Sequence, residues 1–156
     1  TKAALTVTAD AVPGTVAVDH FTKVYGSANP TFGVRYDGFV NSDSPSDLGG
    51  TLDFATAATA GSPVDAYPVT PQGLTSDNYT ISYVAGTLDI TKAALTVTAD
   101  ANDSTAAVDH FTKVYGSANP TFTARYDGFV NSDGSGNLVG TLELSTVDDP
   151  SSPVDD

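Results

Sequence analysis

The sequence predicts an all-β protein built from two tandem repeats, and three observations carry this prediction. Residues that favour helices are scarce, since the chain has no Met, a single Glu and a single Gln, whereas Thr, Val, Ala, Gly and Asp are abundant. Apolar and polar residues alternate with period two in several short segments. The decapeptide TKAALTVTAD opens the chain at Thr1 and returns at Thr91, which sets a period of 90 residues.

The first half of the repeat predicts three strands and a turn. Residues 3–9 form a half-buried strand, because Leu5 and Val7 fall on one face and threonines on the other. The alternation continues through 16–25 and predicts a second strand. The letters YGSANP at 25–30 then predict a turn, since Gly and Asn tolerate unusual backbone angles and Pro keeps the preceding residue extended. A third strand follows at 32–36, with Arg35 facing outward.

The second half of the repeat predicts one helical turn and more strands. Ser44 followed by proline is typical of a helix start, so SPSDL predicts a single short turn. Short strands are predicted at 52–54 and 66–70. Residues 79–83 alternate cleanly, and VAGT at 84–87 predicts a tight hairpin to a returning strand. The predicted core is Leu5, Val7, Phe32, Tyr36, Leu52, Tyr79, Ile81, Leu88 and Ile90.

The second repeat is nearly identical to the first but shorter. Aligning residues 1–66 with 91–156 gives 46 identical positions out of 66, and most differences fall at turn-type residues. Copy two ends at the counterpart of Ala66 and so lacks a counterpart of residues 67–90. We therefore expect two domains, a complete one at 1–91 and a truncated one at 92–156 that lacks its C-terminal hairpin. The absence of any Met indicates a segment of a longer or processed polypeptide.

Composition argues against several classes of partner. Nineteen acidic residues face six basic ones, for a formal charge of −13, which repels phosphate backbones and anionic lipid heads. We therefore expect no nucleic acid partner and, for want of an apolar run, no membrane insertion. The chain has no cysteine, which removes disulfides and thiolate metal sites and is compatible with an extracellular setting.

Several motifs in order resemble one known domain family. The letters KVYGSANP (23–30), YDGFV (36–40), SPVDAYPV (62–69) and NYTISYVAGTLDITKAALTV (78–97) together resemble the MBG domain of the YGX type. This resemblance implies a mostly β domain, described as β-grasp-like, that occurs in tandem in very large bacterial surface and secreted adhesins. It further implies a stalk module without catalytic residues, located outside the cell or on the bacterial cell surface.

Candidate catalytic and crosslinking residues have simpler interpretations. His20 and His110 each follow an aspartate, with which they could pair, but no pattern such as HExxH or GxSxG accompanies them. We therefore expect no enzyme. The four lysines could in principle form a crosslink to an asparagine, but all four are predicted to face outward or to lie at strand edges.

Acidic loops give the strongest hint of a ligand. Asp133, Ser135 and Asn137 place oxygen donors close together, as calcium requires, and are the predicted metal residues. Other acidic positions with the same potential are Asp43, Asp47, Asp148, Asp149, Asp155 and Asp156. EF-hand spacing fails, because Glu143 falls one position short of the twelfth-residue ligand and the central glycine is absent. A flexible solvated turn explains the same letters, so Ca²⁺ is an open alternative and no other cofactor is expected.

The function predicted from the sequence is that of a structural spacer or stalk in a surface adhesin or extracellular filament. Expected partners are neighbouring repeats or identical chains. If 156 residues are the true unit, the truncated copy exposes a sheet edge that invites strand complementation between chains. The other option is that the segment is cut from a longer array of repeats. The alternative is an adhesion module that binds calcium or carbohydrate. A sugar site would need exposed aromatic residues, whereas the aromatic residues here alternate into the strands.

Overall fold

The strands form where the alternation of apolar and polar residues predicts them. The computed structural model describes residues 1–153 and divides into unit 1, Thr1–Lys92, and unit 2, which begins at Ala93. The strands of unit 1 are β1 (Ala3–Ala9), β2 (Phe21–Val24), β3 (Val34–Asp37), β4 (Gly49–Ala55), β5 (Ala66–Thr75), β6 (Tyr79–Val84) and β7 (Gly86–Thr91). A short 3₁₀ helix at Pro45–Asp47 precedes β4. Unit 2 has β8 (Thr96–Ala99), β9 (Ala124–Asp127) and a 3₁₀ helix at Ser135–Asn137.

The all-β prediction is confirmed, and so is the single helical turn at SPSDL. Helical structure in residues 1–153 is limited to the two three-residue 3₁₀ turns. Two parallel pairings, which period-two alternation does not reveal, join the ends of unit 1. They decide how its core is closed.

The first parallel pairing places β1 at the centre of a three-stranded sheet with the order β3–β1–β6. β1 runs antiparallel to β3 and parallel to β6, with Leu5 opposite Ile81 and Val7 opposite Tyr83. Leu5 and Val7 are fully buried and pack with Tyr79. Complete burial of such side chains stabilises the unit by roughly 1.5–3 kcal/mol each.

The second parallel pairing places β7 inside a four-stranded sheet with the order β2–β7–β5–β4. β7 runs parallel to β2, with Phe21 opposite Leu88, and antiparallel to β5. The side chains of Phe21, Val69, Leu88 and Ile90 are buried together with Ala9 and Ala58 in one cluster. The C-terminal strands of the repeat therefore cover its N-terminal strands in both sheets.

The hairpin predicted at VAGT is wrong. Only Ala85 separates β6 from β7, but the two strands belong to different sheets and do not pair. Gly86 makes the crossing possible by lying against the end of β1, where a Cβ would be 2.5 Å from the Ala9 carbonyl oxygen. The segment that copy two lacks is therefore not a hairpin. Its missing segment corresponds to β6, β7 and nearly all of β5.

Two strand boundaries also differ from the predictions. The alternation through Val16 and Val18 does not form a strand, since both side chains are exposed in a loop and only β2 follows. β5 continues to Thr75, past the predicted end at residue 70, because it pairs first with β7 and then with β4. Pro68 lies outside the part paired with β4, and Pro71 outside the part paired with β7. Because proline has no N–H to donate, each of the two lies where β5 has a strand partner on one side only.

The predicted core is largely confirmed. Five of its members are buried, namely Leu5, Val7, Tyr79, Leu88 and Ile90. Phe32, Tyr36 and Ile81 are partly buried and pack against the two clusters. Leu52 is only half-buried. Prediction missed Val69 and Phe21, which are buried in the same cluster as Leu88 and Ile90 of β7.

Unit 2 repeats the letters of unit 1 but not all of its strands. Residues 111–114 spell FTKV as β2 does, yet they form no strand. The counterpart of β1 shortens to β8, and Val97 is 43% exposed where Val7 is 0%. Within residues 1–153, every fully buried apolar side chain lies in unit 1. Identical letters therefore fold differently when the covering strands are absent.

Replacing Gly86 by alanine is expected to destabilise unit 1 by about 1–3 kcal/mol, because the methyl group would overlap the Ala9 carbonyl. Urea titration of the full chain, followed by circular dichroism, gives the free energy of unfolding. Gly14→Ala is the matched control, since a Cβ there meets nothing within 4 Å. Equal stabilities of the two variants would contradict the crossing described for Gly86.

Candidate functional site

Both copies contain the fifteen residues VDHFTKVYGSANPTF, at 18–32 and 108–122. A lysine and an asparagine within them hold a turn by hydrogen bonds, and we call these contacts the lysine clamp. Lys23 is 7% exposed, and its Nζ donates to the carbonyls of Ser27 at 3.1 Å and Thr59 at 2.6 Å. Asn29 Nδ2 donates to the Ala58 carbonyl at 2.8 Å. The turn after β2 is thereby tied to the loop that follows β4. Gly26, at φ +89°, supplies the left-handed conformation that the turn needs.

The outward orientation predicted for Lys23 is therefore wrong. Phe21 and Lys23 occupy alternate positions of β2 and share its buried face. Backbone carbonyls satisfy the ammonium group there, which is how a buried cation avoids an unpaired charge. Tyr25 packs against the apolar cluster, as expected for a turn that serves the fold.

Unit 2 forms the same clamp without its covering strands. Lys113 Nζ donates to Asn119 Oδ1 at 2.9 Å and also contacts the Asp149 carbonyl. Asn119 Nδ2 donates to the Asp148 carbonyl at 2.7 Å. Gly116 N donates to the Pro150 carbonyl at 3.0 Å, as Gly26 N donates to Ala60 at 3.2 Å. The turn at 115–120 thus makes contacts that correspond to those of the turn at 25–30, although residues 111–114 form no strand.

A second repeated structure joins a buried aspartate to an arginine. Asp10 is fully buried, and its Oδ1 accepts from Val12 N at 3.1 Å and Asp19 N at 3.0 Å. Arg35 Nη1 lies 3.7 Å from Asp10 Oδ2 and donates to three carbonyls of the loop, those of Thr15, Val16 and Ala17. The pair organises the loop at 11–20. Arg35 is consequently turned to this loop and not simply outward.

In unit 2 the same role falls to Asp100 and Arg125. Asp100 Oδ1 accepts from Asn102 N and Asp109 N, and Oδ2 lies 3.4 Å from Arg125 Nη1. These two amides, and then the guanidinium, hold the pKa of Asp100 below its ordinary value against the opposing effect of burial. One signal in the sequence points to this pair, since the chain's two arginines occupy equivalent positions of the repeat.

The predicted metal residues lie in one turn of unit 2. Ser135 and Asn137 bound the 3₁₀ helix, and Asp133 precedes it, with its N–H donating to the Val130 carbonyl. Asn137 Oδ1 accepts from Gly134 N at 2.9 Å, so this oxygen caps the turn. In unit 1, Asp47 Oδ2 likewise accepts from Ser44 N. Calcium binding at this turn stays a prediction.

The other acidic positions are dispersed. Asp43 Oδ2 accepts from the Tyr79 hydroxyl at 2.7 Å, which ties the acidic loop of unit 1 to β6. Asp149 Oδ1 accepts from Ser151 at its N–H and its hydroxyl, which lowers its pKa. Asp155 and Asp156 lie outside the described residues. Within residues 1–153, no three side chains among His, Asp and Glu gather as a metal site would require.

The histidines differ between the units. His20 Nδ1 lies 2.8 Å from Asp89 Oδ2, so its partner is a residue of β7 and not the adjacent Asp19. Asp19 instead accepts from the Thr15 hydroxyl. His110 has the same neighbours in sequence, but it forms no ion pair with a carboxylate of residues 1–153. The missing counterpart of β7 explains the difference.

A cavity opens in unit 2 where unit 1 is closed. It measures about 400 Å³, and its lining includes Ala99, His110, Phe111, Lys113 and Phe122. Three of these are the counterparts of Ala9, Phe21 and Phe32, which pack with Leu88 and Ile90 in unit 1. Phe111 and Phe122 keep the edge-to-face contact of Phe21 and Phe32, with centroids 5.0 Å apart in both units.

Lys23→Met should lower the free energy of unfolding by about 1–3 kcal/mol, because it removes a buried donor from two carbonyls while keeping the apolar stem. Lys92→Met is the control, since Lys92 is exposed and the charge change is the same. Chemical denaturation of both variants measures the difference. If K23M were as stable as K92M, the clamp would be only an incidental contact.

Acid is expected to release the loop at 101–109. Because the pKa of Asp100 is lowered by folding, its contribution is complete above the ordinary carboxyl pKa of about 4 and is lost as the pH falls through the lowered value. Amide hydrogen exchange and chemical shifts of Asn102 and Asp109 report this release. Asp100→Asn should abolish the acid-dependent step, and an unchanged titration in that variant would refute the assignment.

The comparisons with known proteins agree with the two repeats. The chain matches the family described as the MBG domain (YGX type) over residues 15–89 and 95–155, which is most of its length. No curated protein and no solved structure matches it. MBG domains are found in large surface and extracellular proteins, where they serve as repeat modules. The chain therefore belongs to the MBG domain family of the YGX type, with two adjacent members of that family in tandem.

Proposed function

We propose that the chain is a structural spacer, or stalk module, of a bacterial cell-surface adhesin or extracellular filament. The observation that supports this most directly is the direct succession of two family domains. β7 ends at Thr91 and β8 begins at Thr96, and residues 92–95 contain neither Gly nor Pro. A link so short, without flexible residues, restricts the motion of successive domains. Length and stiffness would then be what the repeat contributes.

The use of the reactive side chains in unit 1 also favours a structural role. His20 pairs with Asp89, Lys23 serves a turn, and Arg35 holds a loop. Each of these groups, which could otherwise act on a substrate, is engaged in holding the fold together. We accordingly propose that the chain is not an enzyme and needs no cofactor.

The proposed partners are neighbouring repeats or identical chains. A formal charge of −13 disfavours nucleic acid and anionic lipid surfaces. Neither 3₁₀ turn in residues 1–153 has the length and hydropathy needed to cross a bilayer.

The rival function is a calcium- or carbohydrate-binding adhesion module. Asp133, Ser135 and Asn137 share one turn, which favours calcium. Tyr115 is 62% exposed, which favours sugar stacking, but its counterpart Tyr25 packs on the core of unit 1. Missing covering strands therefore explain the exposure of Tyr115 without a ligand.

Chains with two, three and four copies of residues 1–90 test the spacer role. Small-angle X-ray scattering should give a maximum dimension that rises by a constant increment with each copy. A dimension that levels off with copy number would show a compact cluster and would refute the spacer. A rise of several degrees in melting temperature at micromolar calcium would instead favour the rival.

A further inference from the structure

The loop at 101–109 carries the acceptor pattern for a glycan. Residues 102–104 spell NDS, which is the N-x-S/T pattern of N-glycosylation with a middle residue other than proline. Residues 78–80 spell NYT and match the same pattern. Because so short a pattern is common by chance, the structure around each asparagine decides whether it can serve as an acceptor.

The NDS loop is exposed, and its exposure is a property of the loop itself. Residues 101–108 are all exposed. The corresponding residues of unit 1, 12–18, are exposed as well, and Val16 is 102% exposed there. Unit 1 contains all seven strands β1 to β7, so the loop is accessible in a repeat whose sheets are complete.

Two hydrogen bonds orient the side chain of Asn102. The Ser104 hydroxyl donates to Asn102 Oδ1 at 2.6 Å, and the Ser104 N–H donates to the same oxygen at 3.3 Å. The amide nitrogen Nδ2, on the other side of the planar amide, has no acceptor among residues 1–153. Donation to Oδ1 makes the protons on Nδ2 more acidic, which favours the formation of a new bond at that nitrogen.

A frame of hydrogen bonds holds the base of the loop. Asp100 Oδ1 accepts from Asn102 N at 3.0 Å and from Asp109 N at 2.9 Å. Arg125 Nη1 donates to the three carbonyls of residues 105–107. These bonds fix the two ends of the loop and leave the acceptor tripeptide at its exposed tip.

The NYT pattern is held in a sheet instead. Tyr79 is 4% exposed and begins β6, which is paired along its length with β1. The Ala3 N–H donates to the Asn78 carbonyl at 2.9 Å. An enzyme that encloses all three residues of this pattern would have to separate β6 from β1. The fold therefore favours Asn102 over Asn78, although both side chains are exposed.

We propose that Asn102 is the acceptor of an N-linked oligosaccharide, which an oligosaccharyltransferase transfers from a polyprenyl diphosphate donor. Nδ2 forms a bond to the anomeric carbon of the first sugar, while the bond from that carbon to the diphosphate oxygen breaks. The diphosphate leaves with the electron pair, and a base of the enzyme takes one proton from Nδ2. Because the loop is exposed, the bulky glycan is solvated there and leaves the core unchanged. This modification does not depend on the spacer role.

Transfer to the folded chain of 156 residues tests the proposal. The chain is incubated with a purified single-subunit oligosaccharyltransferase and its polyprenyl diphosphate-linked oligosaccharide. Mass spectrometry should show one oligosaccharide per chain, located at Asn102, and none at Asn78. Asn102→Gln and Ser104→Ala should abolish the modification, whereas Ser104→Thr keeps the hydroxyl and should retain it. Circular dichroism establishes that each variant is folded.

Unit 1 allows a matched gain of the same site. Its loop has Val12, Pro13 and Gly14 where unit 2 has NDS. The frame is the same, since Asp10 Oδ1 accepts from Val12 N at 3.1 Å. The triple substitution Val12→Asn, Pro13→Asp and Gly14→Ser should therefore add a second oligosaccharide, at position 12. A Cβ at position 14 meets nothing within 4 Å, so the serine fits the loop.

The contrary outcomes are equally specific. Absence of transfer to the folded chain would overturn the proposal: a glycosylated peptide of residues 99–107 would then show that the fold excludes the enzyme, and an unmodified peptide that the tripeptide is no acceptor. Unchanged transfer in S104A, or transfer to Asn78 at the rate seen at Asn102, would overturn it as well. The scattering dimensions of the 1–90 arrays would still decide the spacer role separately.

Discussion

Parallel pairing between the two ends of the repeat is the constraint on which the structure depends. β1 pairs with β6 and β2 pairs with β7, so the strands that begin the repeat are covered by those that end it. These contacts join residues some seventy positions apart in sequence, and both apolar clusters lie beneath them. The closing strands complete the core, because they bring Tyr79 against Leu5 and Val7, and Leu88 and Ile90 against Ala9 and Phe21, out of water.

The contacts in unit 2 separate what is local from what is not. Without closing strands it still has the lysine clamp, the Asp100–Arg125 loop and the β8–β9 pair. Each of these joins residues no more than 36 positions apart, with the clamp from Lys113 to Asp149 being the longest. What unit 2 loses is the buried apolar side chains and the strand at 111–114. The duplicated phrase therefore defines local contacts, and the end of the repeat closes the core.

The sequence was informative where the relevant signal is local. Alternation located β1, β6 and β7, and the letters YGSANP located a turn, because both depend on neighbouring residues. Alternation says nothing about which strand lies alongside. The letters VAGT at 84–87 therefore predict a hairpin, whereas β6 and β7 lie in different sheets. Its charge predicts an exposed Lys23, but the ammonium group is buried and donates hydrogen bonds to two backbone carbonyls. The sequence suggests Asp19 as a partner for His20 because the two are adjacent, whereas the observed partner, Asp89, is 69 positions away.

The measurement that tests the central claim most directly compares amide exchange in two chains. One is the chain of 156 residues, and the other carries residues 67–90 appended after Asp156, which completes the second repeat. If the end of the repeat closes the fold, the amides of residues 111–114 should become as protected as those of Phe21–Val24. Exchange at residues 111–114 that remains as fast in the extended chain as in the original would contradict the account.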